Sequence, residues 1–159
     1  MIKLDRYDLS ILKILSEQGR MTKSELARQV CLSASPTWER LKRLEDQGLI
    51  RGYQADVAWD RIFGGCTVIV EVSLDRHTAH DMQRFEQHVT EVPGIVQCHA
   101  TGGGVDYILH VRARDIDHYQ CLIDQLLEAQ IGIDRYVTYI VTKTIKTRPA
   151  VPAEVHDLP

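Results

Sequence analysis

The chain predicts an α+β fold in two successive parts, a winged helix-turn-helix and then a ferredoxin-like βαββαβ sandwich. Two observations carry that prediction. Between Met21 and Ile50, two short helical segments meet across a tight turn, which is helix-turn-helix spacing. Beyond Ile62-Phe63-Gly64-Gly65 the apolar period changes from helical to alternating, and strand, helix, strand, strand, helix and strand patterns follow in that order. The expected boundaries are residues 1–60 for the first domain, 61–65 for a linker, 66–147 for the second domain and 148–159 for a tail.

The first helix is an amphipathic run from Leu4 to Leu15, with Leu4, Leu9, Leu12 and Leu15 near one side and Gln18-Gly19-Arg20 closing it. Thr22 is a hydroxyl N-cap with Glu25 three residues on, the signature of a capping box, and Leu26, Ala27 and Val30 form the next apolar stripe. Cys31-Leu32 turn the chain. Ser33 is placed to cap a third helix whose first turn tolerates Pro36, and Gly48 stops it. Leu49 to Val57 reads as a short strand pair, the wing.

A helical wheel divides the third helix. Ala34, Thr37, Leu41 and Leu44 fall on the core side; Ser35, Pro36, Glu39 and Arg43 lie opposite, with Arg40 and Lys42 on the flanks and Trp38 at the core's edge. Such a helix fits a major groove, where basic groups contact phosphates or guanine edges and a carboxylate accepts from cytosine. The candidate contacts to double-stranded DNA are Ser33, Ser35, Pro36, Thr37, Trp38, Glu39, Arg40, Lys42 and Arg43.

Charge qualifies this. The 159-residue chain is −3 overall, but residues 1–60 hold ten Lys/Arg against nine Asp/Glu, and residues 61–159 hold nine against thirteen. The basic excess is confined to the front part and is small. One copy would therefore bind weakly, so a specific complex calls for two or more copies acting together.

The second part supplies a way to join copies. Cys66, Val68, Val70, Val72 and Leu74 alternate with polar residues in a half-buried strand; 80–92 is helical on Met82, Phe85 and Val89; Pro93-Gly94 ends it. Strands 95–101 and 105–113 are joined through Gly102-Gly103-Gly104, Asp115 caps a helix over 116–129, and 133–145 is the last strand. Pairing the central hairpin so that residue numbers sum near 209 puts Val96, Cys98 and Ala100 with Leu109, Val111 and Ala113 under the helices. Gln97, His99 and Thr101 then share the other face with Ile108, His110 and Arg112. With Ile69 and Ile140 added, that face is too apolar to be simply wet, and a dimer through it is expected.

Leu4-Asp5 with Asp8, Leu32-Ser33, Arg40-x3-Leu44-Glu45-x2-Gly48-x-Ile50 and Gly103-x2-Asp106-Tyr107 occur in an order and spacing that resemble the Lrp/AsnC (feast/famine) family of transcription regulators, over about residues 3–147. The resemblance implies a homodimer built through C-terminal "RAM" domains, assembling into tetramers, octamers or larger rings. It also implies an amino acid or related small metabolite as effector, held at interfaces between dimers by the glycine-containing loop and a hydroxyl of the last strand. Carried over, the effector residues are Thr101, Gly103, Asp106 and Thr138, with Tyr136 shaping the pocket. The glycine run is richer than usual, and Tyr136 stands where a smaller hydroxyl residue is common.

Other classes are addressed in turn. There is no G-x-S-x-G, H-E-x-x-H, Walker loop or strand-following G-x-G-x-x-G, so no catalytic residues are assigned and no enzyme is expected. Cys31, Cys66, Cys98 and Cys121 are scattered and form no C-x-x-C pair; His99 would face His110, and His77 and His80 are three apart, but neither pair has a third ligand at metal spacing. No metal and no cofactor other than the effector is therefore expected. A second reading is a siroheme-decarboxylase-like enzyme of similar fold, with His99, His110 and Arg112 holding a tetrapyrrole. A third is a nucleoid architectural protein that ignores effectors. With no apolar run near 18 residues and no signal peptide, the expectation is a cytoplasmic, nucleoid-associated protein without a membrane partner. The proline-containing tail from Arg148 is expected to be an extended strap or partly disordered.

Overall fold

The computed structural model describes residues 3–147, and the expected tail lies outside them. Contacts divide the chain into two compact units, one made of the residues up to Val57 together with those from Lys146 on, the other spanning Ala58–Ile145.

The first unit holds α1 (Arg6–Glu17), α2 (Lys23–Gln29) and α3 (Ala34–Asp46). Their starts differ from the expected caps. At α1, Asp5 accepts from the backbone N–H groups of Tyr7 and Asp8 at 2.9 and 3.0 Å, and the Asp8 carboxylate accepts from Asp5 N–H at 3.1 Å, a complete capping box. At α2 only half a box forms: the Thr22 hydroxyl accepts from Glu25 N–H at 3.2 Å, without a return bond from Glu25. Ser33 is the N-cap of α3 by backbone geometry, but its side chain makes no capping bond. Instead the Thr37 hydroxyl donates to the Ser33 carbonyl at 2.9 Å. The turn between α2 and α3 places Cys31 in the left-handed region at φ 56°, and Gly48 ends α3 at φ 67°.

Ile11, Leu26, Val30, Leu41 and Leu44 form the buried centre of this unit, with Leu4, Leu12, Ile14, Leu15, Leu49 and Ile50 packed around it. Ile11 is the fully buried residue of α1, and Leu4, Leu12 and Leu15 of the expected stripe pack against its cluster. One expectation is corrected: Ala34 on α3 is exposed. The predicted wing strands do not form among the described residues: residues 51–58 are neither helix nor strand and are exposed.

The second unit holds α4 (Trp59–Phe63), β1 (Cys66–Leu74), α5 (Ala79–Thr90), β2 (Ile95–Ala100), β3 (Tyr107–Ala113), α6 (Ile116–Glu128) and β4 (Ile133–Ile140). The four strands make one antiparallel sheet in the order β2-β3-β1-β4. Thr78 caps α5 by accepting from Asp81 N–H, and Asp115 caps α6 by accepting from His118 N–H at 2.7 Å. The core lies between the helices and one sheet face: Val68, Val70, Val72 and Leu74 of β1 and Tyr107, Leu109 and Val111 of β3 meet Phe85, Val89, Tyr119, Leu122, Ile123 and Leu126. Phe85 and Tyr107 pack with ring centroids 4.5 Å apart and their planes tilted by 36°.

The hairpin register is tighter than expected by two residues. Cys98 pairs with Leu109, His99 with Ile108 and Ala100 with Tyr107, and an irregularity between Ile95 and Gln97 takes Val96 out of the ladder. A shift of two preserves side-chain parity, so His99 and His110 still meet on the open face, their rings 6.0 Å apart edge-on. Apart from Ile95, which packs against the core, the β2 residues are exposed, Val96, Cys98 and Ala100 among them, since β2 is an edge strand of the sheet. Ile140 is a further correction. It pairs with Val68, so it shares the helix-side face with Thr138 and Tyr136, opposite Val70 and Val72. The open face of β4 carries Tyr139, Val137 and Arg135, the partners of Ile69, Glu71 and Ser73.

Candidate nucleic-acid interface and ligand site

The sequence of α3 makes one face apolar and leaves the other polar. Thr37, Leu41 and Leu44 are buried, while Ser35, Pro36, Glu39, Lys42 and Arg43 are exposed and Arg40 is intermediate. Thr37, 1% exposed and bonded to its own helix start, belongs to the core and is withdrawn as a base contact. Trp38 is 39% exposed, and the Lys23 ammonium lies over its ring, 3.1 Å from the centroid. That contact fastens the front of α2 to the side of α3.

The basic residues of α3 are not equivalent. Arg40 Nη1 donates to Asp5 at 2.6 Å and to Asp8 at 2.8 Å, and Arg43 Nη2 donates to the other Asp8 oxygen at 2.6 Å. Asp8 is 1% exposed, so its carboxylate would be costly to bury alone; two guanidinium groups and the Asp5 N–H compensate it. The Asp8 backbone N–H first, then Arg40, hold the Asp5 carboxyl below the usual carboxylate range, and Asp5 and Asp8 push the Arg40 guanidinium up. This junction seats α3 on the start of α1. Sequence reasoning quoted Asp5 and Asp8 only as a family signature and missed this role, although their spacing at a helix start was the available signal. Arg43 keeps a half-exposed side chain with donors to spare, so it is shared between the junction and the surface. Lys42 is the exposed cation of the α3 surface outside the junction.

Of the expected effector residues, Thr101, Gly103 and Asp106 lie at one end of the second unit's sheet, but the polar groups of Thr101 and Asp106 are largely spent on the protein. Thr101 N–H donates to the Asp106 carbonyl at 2.8 Å, and its hydroxyl donates to the Val105 carbonyl at 2.5 Å. Gly103 is exposed between two other open glycines. Asp106 laces β3 to β1: its N–H donates to the Val72 carbonyl, its carboxylate accepts from Leu74 N–H at 2.8 Å, and His77 Nε2 lies 3.0 Å from the other oxygen. Tyr136 sits on the far side of β1, paired with Val72, roughly 10 Å away by two strand spacings. Thr138 faces the helix layer, where its hydroxyl meets that of Tyr119 at 2.5 Å. Thr101, Gly103 and Asp106 are thus brought together, and Tyr136 and Thr138 stand apart from them. Among the described residues no group of three or more His, Cys, Asp or Glu side chains converges as a metal site. No helix there is long and apolar enough to cross a membrane.

A helix-turn-helix with an exposed polar face, joined in one chain to an α+β sandwich, defines a DNA-binding regulator with an appended ligand domain. Family models agree: one described as winged helix-turn-helix DNA-binding matches residues 4–51, and one described as the Lrp/AsnC ligand binding domain matches residues 67–151. The chain belongs to the Lrp/AsnC family of transcriptional regulators. It is 50% identical over 157 residues to the transcriptional regulatory protein DoeX of Halomonas elongata, covering 99% of each chain. It is 35% identical to the leucine-responsive regulatory protein of Escherichia coli, covering 90% of this chain and 87% of that one. Among solved structures it resembles a transcriptional regulator–L-Met complex from Neisseria meningitidis, with a TM-score of 0.88 and 32% identity, covering 94% of this chain and 97% of that one.

Proposed function

We propose that this regulator binds double-stranded DNA as a homodimer or larger assembly, and that an α-amino acid held in the second unit sets its operator affinity. The observation that carries the DNA part is the division of α3: a buried Thr37, Leu41 and Leu44 face fixes the helix, and Ser35, Pro36, Glu39 and Lys42 are left for the groove. Arg40 acts mainly as a positioning residue, and Arg43 serves both the junction and the phosphates. The dimer part rests on the open sheet face, where Ile69, Ile108, Val137 and Tyr139 mix with Glu71, His99, His110 and Arg112. The effector part rests on the family's ligand domain and on the L-Met seen in the Neisseria relative.

Fluorescence anisotropy with operator DNA across a salt series tests the groove face. Lys42→Ala is expected to weaken binding across sequences and reduce the log–log salt slope by about 1, with the melting point unchanged. Arg43→Ala is expected to lower both affinity and melting point. Unchanged affinity in both variants would refute this assignment of α3, and a sedimentation run showing only monomer would remove the sheet-to-sheet assembly.

A further inference from the structure

The second unit has a second polar recess at the same end of the sheet, on the side away from the glycine loop. It has a volume of about 280 Å³ and is lined by Asp75, Arg84, Gln130 and Gly132, with Leu126, Leu127, Ile131 and Ile133 at its base. Three elements build it. The end of β1 delivers Asp75, whose N–H donates to the Gly132 carbonyl at 2.9 Å; α5 delivers Arg84; the turn after α6 delivers Gln130 and Gly132. Gly132 has φ +86°, a conformation side chains rarely adopt. A Cβ there would come within 3.1 Å of Asp75 Oδ1 and 3.3 Å of Arg84 Nη2, so the missing side chain keeps both charged groups beside bare backbone.

Two opposite charges meet at this glycine without neutralising one another. Among the described residues, no hydrogen bond or ion pair engages the Asp75 carboxylate, and Arg84 makes one long ion pair, its Nη2 3.7 Å from Asp81 Oδ1, while the other Asp81 oxygen accepts from the Thr78 hydroxyl at 2.5 Å. By contrast, the carboxylate of Asp106 on the other side of β1 is held by Leu74 N–H and His77. An unpaired carboxylate and a guanidinium engaged only by one long, half-exposed ion pair face a small recess and match the two ends of a zwitterion. The guanidinium takes a carboxylate with two parallel N–H donors, and the carboxylate takes an ammonium. The recess is the right size for an amino-acid head group, below the range of drug-sized pockets.

We infer that Asp75 and Arg84, flanking Gly132, recognise the ammonium and carboxylate of a free α-amino acid, making this recess an effector subsite distinct from the Thr101–Asp106 loop. The inference rests on the effector reading above and specifies where its ligand's charged groups are held. Because the charged head is what the site reads, a range of side chains is accepted so long as both termini are free.

Isothermal titration of the full-length protein with L-methionine and L-leucine tests it, alongside Asp75→Asn, Arg84→Gln and Asp106→Asn. The expected result is binding by the wild type, with the dissociation constant raised roughly ten- to a hundredfold in Asp75→Asn and Arg84→Gln, the scale of one lost hydrogen bond to a charged group. Methioninamide, which lacks the carboxylate charge, is expected to bind the wild type more weakly than methionine, and Arg84→Gln to erase that difference. The amide comparison is made within one variant, so a general loss of stability does not imitate it. Wild-type affinity in both recess variants, or loss confined to Asp106→Asn, would overturn the inference while leaving the effector reading standing. A wild type that binds neither amino acid would overturn both.

Discussion

The two units hold their helices in different ways. In the second, α5 and α6 lie on the sheet through Phe85, Val89, Tyr119, Leu122, Ile123 and Leu126, an apolar layer meeting the buried residues of β1 and β3. In the first, a smaller apolar centre is supplemented by a charged junction, with Arg40 and Arg43 of α3 gripping Asp5 and Asp8 at the start of α1. Burying Asp8 among apolar neighbours is tolerable only because two arginines face it. The lesson is that charges on a recognition helix cannot be counted as DNA contacts before their protein partners are known. Of three clustered basic residues, Arg40 is held mainly by the fold and Arg43 is shared with it.

The largest effect expected from breaking this contrast is in the apolar unit. Phe85→Ala removes a fully buried ring packed against Tyr107 and should cost about 3–5 kcal/mol, seen as loss of the second unit's cooperative transition in calorimetry. The junction is smaller in energy. Asp8→Ala leaves Arg40 and Arg43 without their buried acceptor and should cost about 1–3 kcal/mol by urea denaturation. The cost stays below that of a fully buried pair because both guanidiniums still reach water. A substitution with no effect would show that the apolar centre seats α3 unaided.

The smallest effect is a pH dependence confined to the junction. Bonding to the Asp8 N–H and to Arg40 depresses the Asp5 carboxyl in the folded state, so the unfolded chain binds its proton more readily. This contribution is complete above the unfolded value of about 4 and is lost as pH falls through the folded value. Acid titration followed by circular dichroism should therefore show a stability loss below about pH 4 that Asp5→Asn diminishes.

Much of the architecture was legible. Periodicity located all three helices of the first unit and the βαββαβ order of the second, because a change of period from 3.6 to 2 records which face each element buries. Parity survived a register error of two residues in the β2–β3 hairpin, since only an odd slip exchanges faces. Ile140 was misplaced for the complementary reason: its face depends on how β4 pairs with β1, a register that no turn between them sets. Of the DNA face, Ser35, Pro36, Glu39 and Lys42 were readable from the wheel, while Thr37 was claimed for both faces and proved to be core. The recess at Gly132 left no trace in the sequence, because Asp75, Arg84 and Gly132 sit in three separate elements and meet only when the sheet closes.

By itself the sequence determined which elements form and which side of each is apolar, since both follow from local spacing, caps and turn residues. Only the tertiary structure decided which charges are free. That Arg40 and Arg43 are bound to Asp5 and Asp8, that Asp106 is laced to β1, and that Asp75 and Arg84 are left facing an open recess are outcomes of packing distant segments together. A charge's availability depends on its neighbours in space, and the hydrophobic pattern that folds the chain does not encode those neighbours locally.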